Sequence, residues 1–138
     1  MTRQGGNFDA TEWQPADDAR RFECGSQNLL GAHGLDASLS LLEEVSLARV
    51  ADAVLARSGH LVERIGARPE LELLSDPSPP RRSGIVTFRH RGIDSAALQR
   101  RLTEAGVVCA ARGGGVRFSP HFYTPIEQLD EALVVVPA

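Results

Sequence analysis

Val107-Val108-Cys109-Ala110-Ala111-Arg112-Gly113-Gly114-Gly115-Val116-Arg117-Phe118 is the stretch on which the fold turns. Its two ends, Val107-Val108-Cys109 and Val116-Arg117-Phe118, have the β-branched and aromatic content of strands, and the glycines between them supply residues able to take positive φ. A hairpin follows. Working outward, Gly84-Ile85-Val86-Thr87-Phe88 reads as a further strand and the apolar Leu71 to Leu74 as a short one. The run Asp76-Pro77-Ser78-Pro79-Pro80 between them is a loop, because proline cannot donate to a ladder.

Helical spacing accounts for the rest. Asp94 through Ala105 predicts a short helix ended by Gly106, with Leu98 and Leu102 inward. Thr124-Pro125-Ile126-Glu127 combines an N-cap, a first-turn proline and a capping-box glutamate, and Ile126, Leu129, Leu133 and Val136 then fall on one face. Upstream, Leu35, Leu39, Leu42, Val50, Val54, Leu61 and Ile65 predict one long helix capped by Asp36 or Ser38, with weak points around Ser46 and Gly59 where it can kink. The element order α-β-β-α-β-β-α implies an α+β fold: a small open, mainly antiparallel sheet of three to four strands with helices packed on it, preceded by one long helix. Residues 1–18 are polar and aperiodic and read as a loosely held arm.

Composition narrows the function. The 138 residues are 42% hydrophobic and 24% charged, enough for one domain with a real core. All fifteen basic residues are arginine; the chain has no lysine. A net charge of −3, with arginines scattered among eighteen acids, disfavours nucleic acid as a partner. No stretch approaches about 18 uninterrupted apolar residues, and the first six residues lack a signal-peptide core, so no membrane partner and a cytoplasmic location are expected. Cys24 and Cys109 have neither metal-site nor secreted-disulfide spacing and read as free thiols, while His33, His60 and His90 share no metal-like spacing, so no metal site is expected.

Three motifs in order, Arg20-Arg21-Phe22-Glu23-Cys24-Gly25-Ser26-Gln27-Asn28, Ser83-Gly84-Ile85-Val86-Thr87-Phe88 and Arg117-Phe118-Ser119-Pro120-His121-Phe122-Tyr123, resemble the C-terminal part of the class V aminotransferases, a family that includes cysteine desulfurases and kynureninases. The resemblance runs from about Phe8 to Val136. It implies the small domain of a fold-type I pyridoxal-phosphate enzyme over residues 19–138, without the larger cofactor domain. In the complete enzyme it implies pyridoxal phosphate, an amino-acid substrate and a dimer. That coenzyme is held as a Schiff base by a lysine. Arginine cannot replace it, since its guanidinium stays protonated. The chain alone is therefore expected to hold no cofactor, to contain no catalytic residue and to be inactive by itself.

Site residues follow from the same resemblance. Arg117 aligns with the arginine that grips the substrate α-carboxylate, and a planar guanidinium suits that task because it forms two parallel bonds to a carboxylate. Read without the family, Arg117 is a strand-end arginine paired with a surface acid. Arg112, just before the glycine turn, can reach the same mouth or simply face solvent. Gly25 and Ser26 align with the family's Gly-Thr segment, which contacts the coenzyme phosphate of the neighbouring subunit; as bare sequence they are a turn or cap. His121, between aromatics, reads as structural. Tyr123-Thr124-Pro125 departs from the family's Tyr-Asn-Thr. The short interval between Arg112 and Arg117 holds no cysteine, so sulfur transfer is disfavoured, and Cys109 reads as a buried thiol. The competing expectation is a stand-alone module that binds an amino-acid carboxylate or docks on a partner, whether a large-domain polypeptide or a second copy.

Overall fold

A computed structural model of the chain describes residues 9, 11–12, 14–23 and 25–138. The described residues up to Glu44 form one compact unit and Val45–Ala138 a second. The arm expected over residues 1–18 falls partly outside the described residues, as does Cys24.

In the first unit a short 3₁₀ turn, Ala19–Phe22, starts at Asp18, whose carboxylate accepts from the Arg20 amide. Helix α1 spans Leu29–Val45. The expected cap at Asp36 or Ser38 is corrected: the helix begins earlier, and the Asn28 side-chain oxygen accepts from the Gly31 amide at 2.9 Å. Asn28 satisfies a first-turn donor that has no partner within the helix. Ser38 lies inside α1 and donates its hydroxyl back to the Gly34 carbonyl.

The single long helix is also corrected. Ser46 takes φ 79°, a left-handed backbone that interrupts the amide ladder, and a separate helix α2 runs over Leu47–Gly66. Leu61 and Ile65 of α2 are fully buried. Strands β1 (Leu71–Leu73), β2 (Val86–His90), β3 (Ala110–Arg112) and β4 (Gly115–Phe118) form one four-stranded sheet in the order β1-β2-β4-β3, every neighbour antiparallel. Helices α3 (Ser95–Glu104) and α4 (Ile126–Val134) complete the fold. The expected α+β architecture stands.

Sheet and helices share one core. Val86, Phe88, Val116 and Phe118 alternate inward against Leu61, Ile65, Leu98, Leu102, Leu129 and Leu133. Phe88 and Phe118 meet edge to face at 5.4 Å, a preferred aromatic geometry. Because α2, α3 and α4 all contribute to that core, the opposite face of the sheet carries Glu72, Thr87, Arg89, Ala110, Arg112 and Arg117.

Helix ends explain the shifted strand boundaries. Asp94 caps α3 by accepting from the Ala96 and Ala97 amides. At its other end Gly106, at φ 85°, turns the chain, and the Val107 amide bonds back to the Leu102 carbonyl at 2.9 Å. This exit consumes Val107 and leaves Val108 almost wholly exposed, so the strand expected over Val107–Cys109 begins instead at Ala110. Strand β2 likewise lies two residues later than the sequence suggests. Thr124 does not cap α4: its hydroxyl accepts from the His121 amide at 3.0 Å, and Pro125 precedes the first helical residue. No helix among the described residues is long and apolar enough to cross a membrane.

Candidate functional site

The β3–β4 hairpin presents the two arginines singled out by sequence. Gly113 and Gly114 take φ 64° and 79°, the paired positive values of a two-residue type I′ turn whose twist matches the flanking strands. The turn is anchored where the Ser95 hydroxyl donates to the Gly114 carbonyl. Its register places Arg112 opposite Gly115 and Ala110 opposite Arg117, so both arginines lie on the sheet face away from the core. Arg117 is half-buried and Arg112 exposed. They form a diagonal same-face pair, for which the spacing is about 7–8 Å.

Thr87 faces Arg117 from β2, and nothing in the sequence singled it out. Its backbone is fixed from the far side: the Thr87 amide donates to Ser75 Oγ at 2.8 Å, and the Thr87 carbonyl accepts from Leu74 and Ser75. Its hydroxyl has no partner among the described residues. The signal that could have found it is register, since an antiparallel partner of Arg117 on the same face is defined once strand pairing is known.

Charge on this face is unevenly spent. Arg89 donates to both oxygens of Glu72, and Arg91 to one of them. Arg112 and Arg117 have no carboxylate or other side-chain partner among the described residues. The surface-acid pairing that the bare sequence allowed for Arg117 is therefore not found there. Two guanidiniums without counter-charge, one half-buried beside a hydroxyl, form an anion-accepting surface. On this face Gly115 lies between Arg112 and Arg89, and Arg117 is the diagonal neighbour of both. A Cβ at Gly115 would stand 2.3 Å from the Phe88 carbonyl oxygen and 2.9 Å from Leu74 Cδ1.

Gly25 and Ser26 belong to the first unit, ahead of α1. Gly25 takes φ 128°, which side-chain-bearing residues rarely adopt. With Glu23, Asn28 and Ala32 they line a hollow of about 390 Å³. The Ser26 hydroxyl has no partner among the described residues. Donors at the positive end of a 17-residue helix fit a phosphate group. Covalent attachment of a pyridoxal aldehyde uses a lysine ε-amine, and none of the 138 residues is a lysine.

Other candidates fare worse. A cleft of about 590 Å³ beside α4 is lined by Val107, Phe118, Leu129 and Ala132, with Glu131 its one charged side chain. It has no cation for a carboxylate. The His121 ring lies 4.7 Å from Phe122 and 4.5 Å from Tyr123, in an aromatic cluster as expected. Cys109 is partly buried, and burial pushes its thiol up, away from the reactive thiolate. Among the described residues no group of three or more His, Cys, Asp and Glu side chains could hold a metal ion.

Comparison with known proteins gives one family. The aminotransferase class-V model matches residues 2–131. An uncharacterized aminotransferase of Bacillus subtilis, YcbU, is 29% identical over 121 residues, which are 87% of this chain and 31% of that protein. A kynureninase of Deinococcus radiodurans is 29% identical over 102 residues, 72% of this chain and 24% of its own length. Among solved structures, the cysteine desulfurase CsdA of Escherichia coli has a TM-score of 0.72 at 19% identity, and a cysteine desulfurase of Thermococcus onnurineus one of 0.69 at 23%. These alignments cover 94% and 93% of this chain and 34% of each neighbour, and they show a common fold. The chain thus spans about a third or less of the length of the relatives it matches.

Proposed function

This chain belongs to the class V aminotransferase family, and on that premise we propose that it is the substrate-clasping small domain of a pyridoxal-phosphate enzyme acting on an amino acid. Arg117 grips the α-carboxylate through paired guanidinium bonds, and the Thr87 hydroxyl beside it supplies a third donor. The observation that carries this reading is the half-buried Arg117, opposite Thr87, with no acid among the described residues to neutralise it. Gly25 and Ser26 hold the coenzyme phosphate with hydroxyl and backbone donors. When bound, the coenzyme supplies the electron sink for bonds at the amino-acid α-carbon. The lysine that attaches it comes from outside these 138 residues, on a large-domain polypeptide or a further stretch of the same protein, and the 138 residues are inactive by themselves.

Calorimetry with millimolar L-amino acids tests the reading. Saturable binding that is lost in Arg117→Ala and only partly restored in Arg117→Lys supports it, because an ammonium provides charge without the planar fork. Binding unchanged in Arg117→Ala overturns it.

A second reading rests on a different observation. Leu29, Leu30, Leu35, Leu39 and Leu41 are exposed on α1, which buries none of its residues. Such a surface associates. On this reading the chain is an interaction module for a large-domain polypeptide or a second copy. Sedimentation as a strict monomer at tens of micromolar counts against the second copy.

A further inference from the structure

We propose a second binding site, on the helix side of the sheet, for a small amine with an apolar body: the apolar part in the cleft beside α4 and the ammonium at Glu131. The cleft owes its existence to the way the chain leaves α3. Gly106 at φ 85° and the Val107 amide bonded back to the Leu102 carbonyl carry the chain off the sheet edge, so the pairing of β3 with β4 reaches only to Ala110 opposite Arg117. Past that point Phe118 pairs with Val86 of β2 and has no strand partner on the β3 side. The space left open is about 590 Å³, within the about 300–1,000 Å³ of clefts that take small molecules. Buried Phe118, Leu129 and Ala132 and half-buried Val107 and Val135 line it. Apolar ligand surface displaces water from such a lining favourably.

Charge decides the sign of the ligand. Glu131 is the one charged side chain lining the cleft, and it has no cationic partner among the described residues. Its own helix supplies none: Ile126–Val134 carries Glu127, Asp130 and Glu131 and no basic residue. The cations that reach α4 from α2, His60 and Arg64, are both on Asp130. Ala105 and Gly106 also line the cleft, so the negative C-terminal end of α3 borders the same space, while Arg101 in the last turn of α3 is not among the lining residues. A carboxylate finds no counter-charge there. An ammonium finds a carboxylate and a helix C-terminus. Because Glu131 is exposed, water screens the ion pair and its share of the affinity is modest. The site is separate from the arginine face, since Arg117 and Phe118 are consecutive in β4 and point to opposite sides of the sheet.

NMR titration of the full chain with phenethylamine, phenethyl alcohol and hydrocinnamate, which share an aromatic ring on a short chain and differ in charge, tests the site. The amine should bind saturably, with shifts at Val107, Leu129 and Ala132, about two- to fivefold more tightly than the alcohol at low salt, and the carboxylate should bind most weakly. Glu131→Gln changes an exposed side chain and leaves the core untouched. It should bring the amine down to the level of the alcohol and leave amino-acid binding at Arg117 unchanged. Molar salt should shrink the preference for the amine as the screening length falls to about 3 Å. Amine binding no tighter than that of the alcohol, a preference that survives Glu131→Gln, or shifts confined to residues outside the cleft overturns the inference. So does the absence of saturable binding by all three compounds, an outcome that leaves the Arg117 assignment on the opposite face standing.

Discussion

Thr87 and Arg117 stand directly opposite each other in the antiparallel pairing of β2 with β4, on the sheet face turned away from the core. Cross-strand partners have Cβ atoms about 4.5–5.5 Å apart, so a hydroxyl and a guanidinium at these positions can hold the same carboxylate. Thr87→Val keeps the β-branched shape that the strand accepts and removes only the hydroxyl. Amino-acid affinity should fall about two- to tenfold, the worth of one hydrogen bond, while the thermal midpoint hardly moves. Calorimetry beside a melting curve separates the two effects.

Gly115 tolerates no side chain. A Cβ there would stand 2.3 Å from the Phe88 carbonyl oxygen, and that backbone is locked in the centre of the sheet. Gly115→Ala should destabilise the fold by about 1–3 kcal/mol, the usual cost of overpacking. Urea denaturation should show a lower midpoint at an unchanged slope. Ala111→Gly, at an exposed neighbouring position, is the control with a smaller effect.

Arg68 ties the end of the chain to the core unit. Its guanidinium donates to the carbonyls of Leu133, Val136 and Pro137 and pairs with Glu70. These carbonyls lie at and beyond the C-terminal end of α4, where a cation also meets the negative end of the helix dipole. Arg68→Ala should cost about 1–3 kcal/mol of stability, from acceptors left without their charged donor. Hydrogen exchange should quicken first in the last turn of α4.

Acid should loosen the same region. The His60 ring bonded to Asp130 at 2.9 Å, with Arg64 beside it, holds the Asp130 carboxyl below its ordinary 3.8. Its own backbone amide and Arg68 lower Glu70 from 4.5. Both carboxylates release their protons more readily folded than unfolded. Their stabilisation is therefore full above the ordinary carboxylate range and is lost as pH falls through the lowered folded values. A stability profile from pH 6 to pH 2 should fall on its acid side, and Asp130→Asn should flatten that fall. A profile rising toward acid would contradict the assignment.

Much of this was legible in the sequence, and what was not has local causes. The α3 boundary was legible because Asp94 and Gly106 act within a few residues of the helix they bound. The apolar spacing of Leu98, Leu102, Leu129, Leu133 and Val136 likewise marked the faces that the core buries. Ser46 was legible only in part: the weak apolar spacing around it marked a place to kink, but a serine at positive φ has no composition signal that a helix ends there. Val107 and Val108 carry a strand's chemistry but are taken up by the helix exit. Thr124 has a cap's chemistry, yet its hydroxyl turns back to His121. At the site, Arg112 and Arg117 were visible as residue types in a recognisable motif. Thr87 was not, because its importance comes from strand register, which short strands joined through long loops do not announce.

The central claim, that Arg117 is the carboxylate grip, is tested most directly by the Nε–Hε resonance of Arg117 in the full chain titrated with L-aspartate. The account predicts a saturable downfield shift of this proton that is weakened in Thr87→Val. A resonance that stays fixed while other arginine signals move to saturation would contradict it.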